Sequence, residues 1–225
     1  YFMTTKLSWN QFNKCPFDTF KWQGIDGSEV FTHLITTVGV GQDVQNYFTT
    51  YNGMLHPDAI MGGWQRYQNK ELNNDLLIAF GYGDGGGGPT RKMLETAERM
   101  KKGVKGIPKV RQVFARTYFD QLYARVKDHK RLPTWVGELY FEYHRGTYTS
   151  MARNKRANRR SEFGLMDLEL LSVLAAKKLA YPRQELAAIW RTVLLNQFHD
   201  ILPGSAIHEV YEVTMVDVEP GTGIV

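Results

Sequence analysis

Apolar positions recur along this chain with two different periods, and the change from one to the other organises it. In the first half, short strand-like runs at Lys6 to Trp9, Glu29 to Thr36 and Asp75 to Phe80 lie between loops. The last is a continuous apolar run of the kind covered on both faces, which predicts a parallel sheet with helical cover. After Pro89, Thr90 can cap a helix in which Met93, Leu94, Ala97 and Met100 share a face until Gly103 stops it. A second helix is expected from about Tyr118 to Arg131, followed by an extended segment from Trp135 to Tyr143. From there helical spacing dominates. Ser161 is placed to cap a helix from Glu162 to Ala180, and Pro182 to start another that runs to about Phe198, with Leu186, Ile189, Trp190, Val193 and Leu194 on one stripe. Ser205 can cap a further helix from Ala206 to Val213, after which the pattern dissolves. The pattern therefore predicts an α/β plus α fold class, with an α/β layer over residues 1–112, a helical bundle over 113–213 and an irregular tail over 214–225.

The chain has 225 residues, 43% of them apolar and 13% aromatic, enough to bury a core. The first and last residues suggest a piece cut from a longer polypeptide. No apolar run reaches the roughly 20 residues needed to span a bilayer, so no membrane association is expected. The single Cys15 cannot form an internal disulfide, which favours a reducing, cytoplasmic setting. The formal charge of +5 is uneven, with Arg153, Lys155, Arg156, Arg159 and Arg160 close together. No nucleic-acid motif accompanies this run, and a solvated or acid-paired helix face explains it better than a nucleic-acid partner. The oligomeric state, monomer or homo-oligomer, is left open.

Two places carry candidate chemistry. Leu194 to His208, LLNQFHDILPGSAIH, ends an apolar helix on adjacent His199 and Asp200 just before Pro203 and Gly204. His199 reads equally as a helix C-terminal histidine favoured by the macrodipole or as a metal ligand or substrate donor. The second place is Gly81 to Pro89, where Asp84 stands among glycines at the carboxyl end of the expected strand, the rim where α/β enzymes carry catalytic groups. Gly81 to Gly86 formally matches GxGxxG, so a nucleotide-binding α/β domain is the alternative. Against it, the helix starts several residues late, and Asp84 would push negative charge toward a pyrophosphate. A single carboxylate at a rim is half of the pair that glycosidic cleavage needs. Glu138 to Ser150 interleaves aromatic and hydrogen-bonding groups, as carbohydrate surfaces and exposed strands both do.

The blocks KLSWNQFNK (6–14), FGYGDGGGGPT (80–90), GELYFEYHRGTYTS (137–150) and LLNQFHDILPGS (194–205) together resemble glycoside hydrolase family 38, the α-mannosidases, in its cytosolic and bacterial branch. The resemblance implies a retaining, zinc-dependent exo-α-mannosidase. This chain would span the C-terminal part of its α/β barrel-like catalytic domain and its helical middle domain. By motif, Asp84 corresponds to the acid/base residue and His199 to a zinc ligand. Asp200, His144 and Tyr148 correspond to substrate-binding positions. The nucleophile and the other zinc ligands are expected upstream of these residues, so the piece alone is expected to be inactive, and the partner implied is a mannose-containing oligosaccharide.

Overall fold

The computed structural model describes residues 1–39, 49–83 and 85–218, with side chains through Met215. The chain divides into two compact units, residues 1–143 and from His144 onward. Among the described residues no helix is long and apolar enough to cross a membrane.

In the first unit, strands β1 (Phe2–Thr4), β2 (Thr19–Gln23), β3 (Glu29–Leu34) and β4 (Thr134–Val136) form a sheet in the order β1-β3-β2-β4. It is mixed, not parallel as the pattern suggested. β1 runs parallel to β3 and β4 parallel to β2, but β2 and β3 are antiparallel, with Lys21 opposite Phe31. Only a tight turn at Gly24 to Ser28 joins them, with the Gly24 N–H on the Ser28 carbonyl at 2.9 Å. So short a link can reverse a strand but cannot cross over to a parallel one.

Helices α1 (Pro57–Arg66), α2 (Arg91–Lys101) and α3 (Ala115–Val126) complete this unit. α2 lies where its caps placed it. Thr90 Oγ1 accepts the Met93 N–H at 3.2 Å, and Gly103, at φ +89, closes the last turn on Met100. α3 buries Tyr118, Phe119, Leu122 and Val126 against Phe31 of β3. It thus belongs to the first unit, and the composition change near residue 113 is not where the compact units part.

Two expected strands are not strands. Lys6–Trp9 is a 3-10 turn, whose Trp9 indole N–H donates to the Thr49 carbonyl at 2.7 Å. Leu76 to Phe80 is extended and half-buried, and among the described residues it makes one bridge, Gly53 to Phe80. Its apolar side chains border a cavity of about 290 Å³ together with Leu55, Ile60 and Trp64. The carbonyl of Asp75 is engaged by side chains instead of a ladder, the Tyr118 hydroxyl and the Asn73 amide.

A buried polar chain ties these elements together. His33 is 1% exposed, with Nδ1 at 2.9 Å from Thr19 Oγ1 and Nε2 at 3.2 Å from the Tyr118 hydroxyl. Thr19 Oγ1 also lies 2.7 Å from the Tyr67 hydroxyl. One proton arrangement satisfies every group: Tyr67 donates to Thr19, Thr19 to Nδ1, Nε2–H to Tyr118, and Tyr118 to the Asp75 carbonyl. Burial drives the His33 pKa down to about 3, so the ring is neutral, as that arrangement requires.

In the second unit, α4 (Ala152–Ala175), α5 (Arg183–Asn196) and α6 (His208–Val218) contact one another pairwise around Leu165, Leu186 and Val193. The Trp190 indole donates to Glu169 at 2.8 Å, and the buried Thr214 hydroxyl to Asn196 at 2.9 Å. α4 starts ten residues before the expected Glu162 and ends at Ala175, and Ser161 is buried in its interior instead of capping it. Arg, Lys and Ala are strong helix formers, so the basic run extends the helix instead of preceding it. α6 begins at His208 and continues to Val218, through residues expected to be an irregular tail, and residues 219–225 lie outside those described. The expected extended segment 135–143 survives only as β4; residues 137–141 form no regular element, and a 3-10 segment begins at Glu142 and runs to Tyr148.

Glu142 fastens two of the sequence blocks together within the first unit. Its buried carboxylate accepts the main-chain N–H groups of Gln11 (2.8 Å), Phe12 (2.9 Å) and Asn13, and the Asn13 side-chain amide at 3.0 Å. In return its own N–H donates to Asn10 Oδ1 at 3.0 Å, and the Asn10 amide reaches the Tyr140 carbonyl. Desolvation acts to raise this carboxyl's pKa, but the converging donors outweigh it and hold the value below the ordinary 4.5. A folded-state pKa below the unfolded one gives stability that is present above pH 4.5 and lost as pH falls through the folded value. Glu142→Gln is therefore expected to lower the denaturant midpoint near neutrality, and the gap from the parent should close as pH drops toward 3. A gap that persists unchanged in acid would show that the charge is not what holds the clamp.

Candidate active site

The glycine segment is shaped by contacts within its own unit. Tyr82 and Gly88 exchange both main-chain hydrogen bonds at 2.8 Å, which closes the loop into an antiparallel bridge. At Gly81, φ is +115 and a Cβ would lie 2.7 Å from the Gly88 carbonyl carbon and Pro89 N, so only glycine fits. The incoming stem is held from Thr50 to Gly53. Gly81 N–H donates to the Gly53 carbonyl at 2.9 Å and Gly83 N–H to Asn52 Oδ1 at 2.5 Å, while Thr50 Oγ1 accepts the Asn52 N–H at 2.9 Å. Asp84 itself lies outside the described residues.

This geometry gives the nucleotide alternative no support. The loop closes on itself through the Tyr82–Gly88 pair, and the following helix begins only at Arg91, where Thr90 Oγ1 takes the Met93 N–H.

In the second unit α5 ends at Asn196, and Phe198 to Gly204 wrap as consecutive turns that place His199 and Asp200 at the surface. The His199 ring lies against Phe198, centroids 4.2 Å apart, and its nitrogens take no hydrogen bond among the described residues. An exposed imidazole of this kind suits zinc as one donor. No group of three His, Cys, Asp or Glu able to hold a metal occurs among the described residues. Asp200 has φ +71, an uncommon conformation for a residue with a Cβ. Its carbonyl accepts from Ser205 N–H (3.0 Å), Ala206 N–H (2.9 Å) and the Tyr211 hydroxyl (2.8 Å), and its Oδ1 accepts from the Ser205 hydroxyl at 2.8 Å.

α4 holds this loop from beneath. The Lys155 ammonium donates to the carbonyls of Ser150 (2.5 Å), Leu202 (2.8 Å) and Pro203 (3.2 Å), and the Asn154 amide to Ile201 O at 3.1 Å. Gln197 Nε2 donates to Asn158 Oδ1 at 3.0 Å and Glu162 Oε1 at 2.8 Å. Gly204, at φ +89, sits so close to Ser150 that a Cβ would lie 2.7 Å from its Cβ and carbonyl oxygen. The segment carrying His144 and Tyr148 therefore runs directly into the base of the His199–Asp200 loop. His144, at φ −121 and ψ 29, starts a turn closed by the Thr147 hydroxyl on its carbonyl at 2.6 Å, and Tyr148 is 66% exposed. The structure thus gathers His144, Tyr148, His199 and Asp200 onto one unit.

Sequence reasoning missed the residues that do the holding. Lys155 was hidden in a run read as a solvated face, and burial in fact lowers its pKa. Ser205 was read as a helix cap, yet its hydroxyl serves Asp200. Asn52-Gly53 is the kind of pair that marks a turn, and both residues hold the glycine segment.

Residues 1–138 match the N-terminal domain of glycosyl hydrolases family 38, and residues 142–222 match the alpha mannosidase middle domain. An alpha-mannosidase from Saccharomyces cerevisiae is 40% identical over 94% of this chain, which spans 19% of that protein. Alpha-mannosidase 2C1 from Homo sapiens is 40% identical over 97% of the chain and 20% of its own length. An alpha-mannosidase crystal structure from Enterococcus faecalis shares the fold with a TM-score of 0.63 at 18% identity, over 92% of this chain and 23% of that one. The chain belongs to glycosyl hydrolase family 38. It spans about a fifth of the length of the curated relatives it matches.

Lys155→Met keeps the length of the stem but removes the donors for three carbonyls. The expected cost is about 1–3 kcal/mol in denaturant unfolding, because those acceptors lose a charged partner. An unchanged unfolding free energy would mean that the loop is held chiefly by other contacts.

Proposed function

We propose that this chain carries the later part of the catalytic domain and the middle domain of a retaining exo-α-mannosidase that removes terminal α-linked mannose from oligosaccharides. The observation that carries this reading is the 40% identity, along nearly the whole chain, to proteins named α-mannosidases. The single cysteine and the resemblance to the cytosolic branch support a cytoplasmic setting.

In this reading Asp84, in its glycine loop, is the acid/base residue. It donates a proton to the departing glycosidic oxygen while a nucleophilic carboxylate, supplied outside residues 1–225 and about 5–5.5 Å away, attacks the anomeric carbon. Asp84 then takes a proton from the water that releases mannose. Asp200 accepts hydrogen bonds from sugar hydroxyls, and His144 and Tyr148 line the same sugar. His199 is one ligand of a zinc ion whose other ligands lie outside these residues. When bound, zinc supplies Lewis-acid and templating chemistry at the sugar hydroxyls.

The acid role has a kinetic signature. In the complete enzyme, Asp84→Ala should slow glycosyl transfer least for aryl mannosides with good leaving groups, since an activated phenol needs little protonation. The deficit should grow, by about a hundredfold, toward disaccharides. Equal losses for both classes of substrate would remove Asp84 from the acid role.

A further inference from the structure

The two oxygens of the Asp200 carboxylate are not equivalent. Oδ1 accepts the Ser205 hydroxyl at 2.8 Å, whereas Oδ2 takes no hydrogen bond among the described residues and the side chain is exposed. The backbone beneath is fixed from several directions. Three donors converge on the Asp200 carbonyl, one of them the hydroxyl of Tyr211, a residue only 5% exposed, whose oxygen also accepts the Ala206 N–H at 2.9 Å. These bonds hold Asp200 at φ +71. A main chain fixed there still leaves χ1 and χ2 free, and the Ser205 hydroxyl is what restrains them. Ser205 is itself set by Gly204, which lies against Ser150 with no room for a Cβ.

We infer that Ser205 is a positioning residue that acts through Asp200, holding Oδ1 so that Oδ2 is presented outward to accept from a sugar hydroxyl. The inference rests on the reading of Asp200 as a sugar-binding residue and adds the group that orients it. Carboxylate and hydroxyl form a fixed pair, so the sugar meets an acceptor already aimed instead of one that must be ordered on binding.

Removing only the hydroxyl separates this role from a structural one, because Ser205→Ala keeps the Ser205 N–H bond to the Asp200 carbonyl, the Tyr211 bond and the Gly204 contact. The experiment uses the complete, zinc-loaded enzyme as parent, S205A, S205T, D200N and the double variant. The readouts are kcat/KM for an aryl α-mannoside, the inhibition constant of mannose, zinc per chain and Tm. S205A should lower kcat/KM and weaken mannose binding by about tenfold, with zinc content and Tm unchanged. S205T, which keeps the hydroxyl, should recover most of the loss. In the D200N background, S205A should cost nothing further, because both variants break the same path. Full activity in S205A beside an impaired D200N would overturn the positioning role and leave the reading of Asp200 intact. Unimpaired D200N would overturn both. A further tenfold loss in the double variant, or a loss of zinc and Tm in parallel with activity, would show that Ser205 does not act through Asp200.

Discussion

A single ammonium among main-chain carbonyls organises the second unit. Lys155 reaches Ser150, Leu202 and Pro203, so the segment that precedes α4 and the loop that follows α5 are tied to one point on the first turn of α4. Carbonyls in such irregular turns have no ladder or helix partner, and a buried acceptor left unpaired is costly. Three donors on one flexible stem meet that need at a place where α4 is already being built. The cost is borne by the lysine, whose pKa burial lowers, and the gain is a loop fixed tightly enough to hold Asp200 at positive φ.

The first unit uses the mirror image of this device. Glu142, an acceptor, gathers consecutive main-chain N–H groups from Gln11 to Asn13, and Asn52 takes the Gly83 N–H. In both units the segments that carry the candidate residues are irregular backbone, and side chains from elsewhere in the chain satisfy polar groups there. That is how Leu76 to Phe80, with one bridge among the described residues, leads into the Tyr82–Gly88 pairing. It also explains the glycines: Gly81 and Gly204 stand where another stretch of main chain passes too close for a Cβ.

What could be read from the sequence was what depends on local signals. The helix from Arg91 was bounded by Thr90 and Gly103, α5 by Pro182 and its apolar stripe, and the β3 strand by its composition. The four blocks that identify the family were legible because they carry unusual residue combinations in order. What could not be read depends on partners distant in sequence. The pairing of β4 with β2 joins residues more than a hundred positions apart, and the placement of α3 followed from Phe31, some ninety residues earlier. At α4 two local signals compete, the cap at Ser161 and the helix-forming power of the basic run before it, and the run prevails. Lys155 and Ser205 were misassigned for a related reason: a lysine in a charged run and a serine before a helix both have ordinary roles, and only the fold shows which carbonyls and which carboxylate they meet.

In the function proposed above, the loop held on α4 would present His199 as one ligand of a zinc ion in the complete enzyme. The most direct test is to measure zinc per chain and aryl α-mannoside turnover in the complete enzyme and in its His199→Ala variant. An imidazole that is one of a few ligands in a fixed geometry should take metal and turnover with it when removed, while Tm in the presence of chelator stays close to that of the parent enzyme. A His199→Ala enzyme that retains stoichiometric zinc and full turnover would contradict the account and place the metal centre on residues other than those of this loop.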